Sequence, residues 1–175
     1  GNELSPKTFQ GGRWTDEGPV VTYIEPVSGS DATHLMRFNL ETDERTQIID
    51  GTTLQADDVD RLIQIEGYEY SRDGSKVLLY TDSKRVWRRN TKGFYYVYDT
   101  ETQALSPIAD RDDGYQMFAK FNPDATKVAF VRDRDLYVVD LETGNETALT
   151  TDGTDGSIIN GTFDWVYEEE FGLRD

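Results

Sequence analysis

Hydrophobic and polar positions alternate along most of this chain, in short segments separated by polar turns. Residues 76–80 read Lys-Val-Leu-Leu-Tyr and residues 137–140 read Tyr-Val-Val-Asp. Runs rich in β-branched and aromatic residues favour pleated strands with one buried face. Asp, Asn, Glu, Thr and Gly follow these runs, and such residues turn a chain back on itself. No long stretch repeats with a 3.6-residue period, so the pattern predicts an all-β protein.

Two sequence phrases recur along the chain. Segment 70–80 aligns with segment 121–131, and each reads as an aromatic residue, a tight polar turn and an apolar strand. Segment 96–102 aligns with segment 137–143, and a third copy of this second phrase occupies residues 36–42. Strand, turn, strand, hairpin and strand, repeated roughly every 40–50 residues, is typical of β-propeller blades. The repeats therefore predict blades of four-stranded antiparallel sheets.

The repeats also predict a domain organisation. We expect an amino-terminal lead-in at residues 1–19 and a partial propeller domain at residues 20–175, with a loop between blades at residues 51–66. About three blades and the start of a fourth leave a ring open and expose strand edges. We therefore expect this chain to be part of a longer polypeptide. The predicted blades occupy residues 20–50, 68–109 and 116–150, and the next begins near residue 158.

The composition restricts the partners and the chemistry. The chain has 175 residues and a formal net charge of −16, from 34 acidic and 18 basic residues. A chain this acidic is repelled by nucleic acids and by anionic membrane surfaces. No apolar run approaches the roughly 18 residues of a membrane-spanning helix. The absence of cysteine excludes disulfides, thiolate metal sites and a cysteine nucleophile. We expect no cofactor and no metal site.

The carboxyl-terminal segment 164–172 reads Asp-Trp-Val-Tyr-Glu-Glu-Glu-Phe-Gly. Three consecutive carboxylates among large aromatic residues suggest a partly desolvated pocket that binds a cation, such as an ammonium group, through charge-assisted hydrogen bonds. Neighbouring side chains diverge by about 100° on a helix and about 180° on a strand, so a helical turn aims them better at one ligand. The alternative is an ordinary acidic helix face in contact with water.

A basic segment stands out against the acidic chain. Five of the nine residues at 84–92 are Lys or Arg, and none is acidic. This segment lies in an insertion, residues 82–92, that lengthens one hairpin beyond its counterpart in the next repeat, and hairpin tips often carry function. Arg88 could donate hydrogen bonds to a peptide carbonyl, or it could neutralise nearby glutamates. The alternative is an exposed basic hairpin, and the overall charge disfavours a nucleic-acid site.

Residues 164–170, Asp-Trp-Val-Tyr-Glu-Glu-Glu, resemble the double-glutamate motif of the dipeptidyl-peptidase IV family of serine exopeptidases, in the prolyl oligopeptidase superfamily. In that family the motif forms a short helix inserted in the propeller domain, and its last two glutamates hold the free amino terminus of the substrate. The resemblance implies this role for Glu169 and Glu170. The supporting residues that it implies are Trp165, Tyr167 and the flanking acid Glu168.

Residues 86–90, Val-Trp-Arg-Arg-Asn, with the Tyr-Tyr-Val-Tyr-Asp of residues 95–99, resemble the Trp-Arg segment of the same family. The arginine of that segment contacts a carbonyl of the bound peptide, and by position it falls on Arg88, with Trp87 in support. Arg89 replaces a different residue of the family, so which arginine reaches the ligand stays open at this point.

The resemblance implies an eight-bladed propeller followed by an α/β-hydrolase domain. The complete enzyme would release Xaa-Pro or Xaa-Ala dipeptides from peptides with a free amino terminus. Family habit further suggests a homodimer and a periplasmic or secreted location. Two alternatives remain: a relative that releases tripeptides, and a non-catalytic propeller that binds protein partners.

The catalytic residues of a serine hydrolase are not expected in this chain. The sequence contains no Gly-x-Ser-x-Gly elbow. Its single histidine, His34, is interpreted as a structural or surface residue, so no Ser-His-Asp triad is predicted and the chain alone should be inactive. Residues 152–157 resemble a calcium loop only superficially and are interpreted as a turn, because the closing bidentate Glu is missing.

Overall fold

A computed structural model describes residues 12–86 and 88–170, with the backbone alone for Trp165 and Glu169. These residues form three four-stranded antiparallel sheets and one short α-helix. The first sheet contains β1 (Arg13–Trp14), β2 (Val20–Pro26), β3 (Thr33–Asn39) and β4 (Glu44–Ile49). The second contains β5 (Gly67–Tyr70), β6 (Lys76–Arg85), β7 (Asn90–Asp99) and β8 (Leu105–Pro107). The third contains β9 (Met117–Phe121), β10 (Lys127–Arg132), β11 (Asp135–Asp140) and β12 (Glu146–Ala148), and α1 (Trp165–Glu169) follows it.

The described residues form two compact units. One contains the residues up to Leu54 together with Leu62–Ile65, and the other contains Gln55–Arg61 and the residues from Glu66 onward. In each sheet the strands follow chain order, so every strand pairs with its neighbour in sequence. This meander is the arrangement of a propeller blade.

The first unit contains one sheet. Strand β1 pairs with β2, so Arg13 and Trp14, within the predicted lead-in, belong to this sheet. The segment that follows the sheet is tied back to it by Thr33, whose hydroxyl accepts from the Ile65 amide at 2.7 Å and donates to the Ile65 carbonyl at 3.1 Å. At Gly51 a Cβ would lie 2.0 Å from the Thr33 carbonyl oxygen, so only glycine allows this approach.

The second unit contains two sheets that share a hydrophobic core. Their apolar faces meet because alternate residues of each strand point to the same side. Phe130 is 1 % exposed and its ring stacks on Tyr137 with the ring centroids 5.7 Å apart. The other buried members of this core are Leu78, Val97, Ile108, Ala119, Val128 and Val139.

The repeated Asp-x-Glu-Thr and Asn-Leu-Glu-Thr phrases have one structural role. In each copy the side chain that ends a strand accepts hydrogen bonds from the amides of the Glu and the Thr that follow. The acceptors are Asn39, Asp99 and Asp140. This local hydrogen bonding fixes the turn, and hence the register of the next strand.

The predicted fold class is confirmed: the protein is almost entirely β, with four-stranded antiparallel blades and a short helix at the double-glutamate segment. The blade limits given above as residues 20–50, 68–109 and 116–150 remain a prediction of domain organisation. Among the residues that the structure describes, no helix is long and apolar enough to cross a membrane.

Candidate functional site

Helix α1 begins at the aspartate of the double-glutamate segment. The Asp164 carboxylate accepts hydrogen bonds from the amides of Val166 and Tyr167, at 2.9 and 3.1 Å. Aspartate is a preferred N-cap because it satisfies amides that have no partner within the helix. Glu168 lies in the first turn, where the helix dipole favours negative charge. The helix ends with the Glu170 amide donating to the Val166 carbonyl at 3.0 Å.

Glu168 and Glu170, two of the three consecutive glutamates, have different environments. Glu168 is buried, with 3 % of its surface exposed, whereas Glu170 is exposed. The side chain of Glu169 lies outside the described residues, as do the side chain of Trp165 and all of Trp87. Because adjacent helical side chains diverge by about 100°, only part of the segment can face water at once. The burial of Glu168 does not fit the alternative of a uniformly solvated acidic helix.

A cleft of about 340 Å³ lies beside α1. Glu168 and Phe163 line it from the helical segment, and Val86 and Lys92 line it from the long β6–β7 hairpin. The hairpin insertion and the double-glutamate segment, far apart in sequence, therefore border one concavity. Exposed Tyr167 lies near Phe163 in the same region, with ring centroids 6.0 Å apart.

Arg88 lies at the tip of the β6–β7 hairpin, where the Val86 amide donates to the Arg89 carbonyl at 3.0 Å. The Arg88 guanidinium Nη2 lies 3.7 Å from Glu170 Oε1. Both side chains stay accessible, with 69 % of Arg88 and 53 % of Glu170 exposed. The structure thus brings together the predicted carbonyl-binding arginine and one of the two predicted ammonium-binding glutamates. For Arg89 no contact with a glutamate is described.

The base of the hairpin is held by hydrogen bonds that do not involve its tip. The Tyr80 hydroxyl donates to the carbonyls of Lys92 and Asn90, at 2.8 and 3.1 Å. Gly93 and Gln116 exchange two backbone hydrogen bonds, of 3.1 and 2.9 Å, between neighbouring sheets. A Cβ at Gly93 would lie 2.3 Å from the Tyr80 ring, so glycine is required for this close approach.

Sequence reasoning did not single out Asp82 as a site residue. Its carboxylate accepts hydrogen bonds from both Arg61 and Arg111. Partial burial alone would raise the pKa of Asp82, but the hydrogen bonds from Arg111 and Arg61 outweigh it and hold the pKa below its ordinary value. The available indication in the sequence was an aspartate at the point where the long hairpin departs from the repeat.

Other residues discussed above have structural roles. The His34 ring nitrogen Nδ1 accepts a hydrogen bond from the Gly51 amide at 3.1 Å, as expected for a structural histidine. Asp135, at the start of β11, holds the loop that follows β12: its carboxylate accepts from the Gly153 amide at 3.0 Å and from Asn160 at 3.1 Å, which stabilises a turn. Within residues 12–86 and 88–170, no group of three or more His, Asp or Glu side chains is arranged to hold a metal ion.

This chain is similar to known proteins of one family. The family described as "Dipeptidyl peptidase IV (DPP IV) N-terminal region" matches residues 71–175. The "Probable dipeptidyl-aminopeptidase B" of Chaetomium globosum is 30 % identical over 97 % of this chain and 21 % of its own length. The protein of the same name from Arthroderma gypseum is 32 % identical over 97 % of this chain and 20 % of its own length.

A solved structure gives the same result. The crystal structure of Porphyromonas gingivalis dipeptidyl peptidase 4 superposes with a TM-score of 0.78 and 31 % identity, covering 94 % of this chain and 22 % of that one. The chain thus spans about a fifth of the length of these relatives. The matched residues include the double-glutamate segment and the arginine hairpin that the structure places side by side. The chain belongs to the dipeptidyl peptidase IV family, as part of its N-terminal propeller region.

Proposed function

We propose that this chain is the substrate-recognition part of a dipeptidyl-peptidase IV-like serine exopeptidase. Glu169 and Glu170 bind the α-ammonium group of the substrate, and Arg88 donates to a carbonyl of the same peptide. The observation that carries the proposal is the 3.7 Å separation of Arg88 and Glu170, on side chains that both remain accessible. An arginine donor and a carboxylate this close together match the amino end of a peptide, where the ammonium group and the first carbonyl belong to the same residue.

Such a clamp accounts for release of short fragments from one end. Fixing the ammonium group fixes which peptide bond can reach a nucleophile on another domain, and remote binding then positions the reacting bond. A downstream α/β-hydrolase domain would supply the serine, aspartate and histidine, and Xaa-Pro or Xaa-Ala dipeptides would be the products. We place the complete enzyme in the periplasm or outside the cell.

The test is Glu170→Gln in the full-length enzyme, assayed with an Xaa-Pro p-nitroanilide that has a free amino terminus. Loss of one charge-assisted hydrogen bond of about 1.5–3 kcal/mol lowers kcat/KM by roughly 10- to 150-fold. Glu142→Gln, in an exposed turn of the third sheet, is the matched control and leaves kcat/KM unchanged.

Acetylation of the substrate removes its ammonium group, so the difference between wild type and Glu170→Gln should largely disappear with an N-acetylated substrate. An unchanged kcat/KM for the free amino terminus in Glu170→Gln would contradict the recognition role.

A further inference from the structure

The contact between Arg88 and Glu170 cannot fix its own geometry. Both side chains are more than half exposed, and they lie 3.7 Å apart. Exposed ion pairs contribute only about 0–1 kcal/mol, partly because two long side chains must be ordered. The direction in which the hairpin leaves its sheet must therefore be set elsewhere, in a part of the hairpin that is better packed.

Asp82 lies at the point where the pairing of the hairpin becomes irregular. The pairing of β6 with β7 is regular up to Thr81 and Phe94, then shifts between Thr81 and Lys84. Asp82 itself has φ of 51°, in the left-handed region that Asp and Asn tolerate better than most residues. A bulge of this kind bends a strand and re-aims the side chains beyond it. Those beyond it here include Arg88.

The carboxylate of Asp82 is shared by two arginines from different segments. Arg61 comes from the loop before β5, and Arg111 comes from a 3-10 turn at Arg111–Asp113 that precedes β9. Only 22 % of the Asp82 side chain and 20 % of the Arg111 side chain are exposed. Arg61 is more exposed, at 48 %. A carboxylate that neutralises a partly buried cation and a second cation beside it is held more firmly than an exposed pair, because removing it leaves the two cations close together.

Arg111 is in turn fixed by the core of the second sheet. Its Nη1 donates to the Tyr96 hydroxyl at 2.6 Å, and its guanidinium lies 3.7 Å from the centre of the Phe94 ring. Tyr96 is fully buried and its hydroxyl donates to Asp58 at 2.8 Å. Contacts therefore run without a break from buried Tyr96 through Arg111 to the Asp82 carboxylate at the bulge.

We propose that Asp82 is a positioning residue: bound between Arg61 and Arg111, it sets the direction of the hairpin and thereby places Arg88 opposite Glu170. This inference rests on the proposed function, since it concerns how the same substrate-binding pair is assembled. Asp82 is not expected to touch the substrate.

The first experiment is Asp82→Asn in the full-length enzyme. Asparagine tolerates the left-handed backbone, so the variant removes the charge and leaves the backbone conformation accessible. Misplacement of a binding group by about 1 Å can cost up to about 100-fold, and we expect KM for a free Xaa-Pro p-nitroanilide to rise roughly 10-fold with kcat changed less than about 2-fold. Asp43→Asn is the matched control, since Asp43 also has positive φ, 57°, but is exposed in the turn between β3 and β4 of the first sheet. It leaves KM unchanged.

The second experiment separates positioning from general stability. In an Arg88→Ala background, Asp82→Asn should raise KM no further, because it acts through Arg88. An equal rise in KM in both backgrounds would overturn the inference. Arg61→Gln, which removes the more exposed of the two arginines, should raise KM in the same direction but less. If Asp82→Asn does not fold, Arg61→Gln is the deciding variant, and an unchanged KM in Arg61→Gln would contradict the inference.

The experiments distinguish failure of the proposed function from failure of the positioning role of Asp82. If Glu170→Gln and Arg88→Ala both leave KM unchanged, the proposed function is wrong and the positioning role falls with it. If both raise KM while Asp82→Asn does not, the proposed function stands and only the positioning role is wrong.

Discussion

Two hairpins of the same design end differently in this protein. In the third sheet, β10 and β11 pair in register until Arg132 faces Asp135, and only Asp133 and Arg134 connect them. In the second sheet, β6 and β7 follow the same register until Thr81 faces Phe94, and residues 82–93 then extend the hairpin through a bulge and the further pairs Lys84–Lys92 and Arg85–Asn90. Thus a two-residue turn in one blade corresponds to a twelve-residue extension in the other.

The two hairpins diverge after the same residue type in the same conformation. Asp82 and Asp133 are equivalent in the repeat, and both have positive φ, 51° and 48°. In the third sheet Arg134 also has positive φ, 71°, as a two-residue type I′ turn requires, and the hairpin closes. In the second sheet the Asp82 carboxylate is bound by Arg61 and Arg111, and the chain continues outward. The comparison teaches that a blade can extend one hairpin, and so place Arg88 beside Glu170, while the sheet below it keeps its register.

The most severe test replaces residues 82–93 with the two-residue turn Asp-Arg of the other hairpin. The sheet should survive, because its pairing up to Thr81 and Phe94 matches that of the third sheet. The loss of Arg88 and of its support should lower kcat/KM of the full-length enzyme by at least about 100-fold. Circular dichroism and thermal unfolding check the fold, and kcat/KM with a free Xaa-Pro p-nitroanilide checks function. Retained activity would show that the extension is not needed for binding.

Substitution of Arg132 should have an intermediate effect, on stability. In the short β10–β11 hairpin Arg132 occupies the strand position that Thr81 occupies in the β6–β7 hairpin. Its guanidinium forms an ion pair with Glu146 and lies 4.2 Å from the centre of the Tyr137 ring, and only 9 % of its side chain is exposed. Arg132→Met keeps the aliphatic packing but removes the charge, which should cost about 1–3 kcal/mol in the free energy of unfolding.

The matched variant is Arg88→Ala. The Arg88 side chain that it removes is 69 % exposed. It should change the free energy of unfolding by less than about 0.5 kcal/mol while raising KM. Urea denaturation and steady-state kinetics of both variants measure the contrast between a structural and a binding arginine. If Arg132→Met lowers kcat/KM as much as Arg88→Ala does, the assignment of a purely structural role to Arg132 is wrong.

The smallest effect concerns two equivalent turns, at Asp73 in the second sheet and at Asp124 in the third. Hydrogen bonds from the Ser71 hydroxyl, and from the amide and hydroxyl of Ser75, lower the pKa of Asp73 to about 2. Because this folded-state pKa lies below the unfolded value of about 3.9, Asp73 contributes stability at neutral pH that is lost as the pH falls through about 2. The difference in unfolding free energy between wild type and Asp73→Asn should therefore shrink between roughly pH 4 and pH 2.

Asp124 is the equivalent residue in the third sheet. Hydrogen bonds from the Thr126 hydroxyl and amide lower its pKa, so Asp124→Asn should show the same sign of pH dependence. Unfolding measured by urea at a series of pH values between about 2 and 7 compares the two turns. A destabilisation that does not change with pH in either variant would mean that the charge is not what holds the turn.

Much of this architecture could be predicted because it depends on neighbours in sequence. The alternation in 76–80 and in 127–131 gives strands, and Asp99 and Asp140 form the turn hydrogen bonds with residues two and three positions further on. The helix at the double-glutamate segment is likewise local, since Asp164 caps it within its own first turn. The roles expected of Arg88 and Glu170 came from two sequence motifs that resemble those of the family.

Asp82 could not be predicted in the same way. Its partners, Arg61 and Arg111, are 21 and 29 positions away, and no periodicity relates them to it. The unequal burial of Glu168 and Glu170 could not be predicted from the sequence either, where Glu168 is only the residue next to the proposed pair.

The order of residues by itself determined the strands, the turns and the capped helix, since each depends on hydrogen bonds and side-chain preferences within a few positions. Only the tertiary structure decided that Arg61 and Arg111 share the Asp82 carboxylate and that Arg88 lies beside Glu170. The physical reason is that those distances depend on how two sheets pack and where one strand bulges, which are properties of the folded chain and not of any short segment.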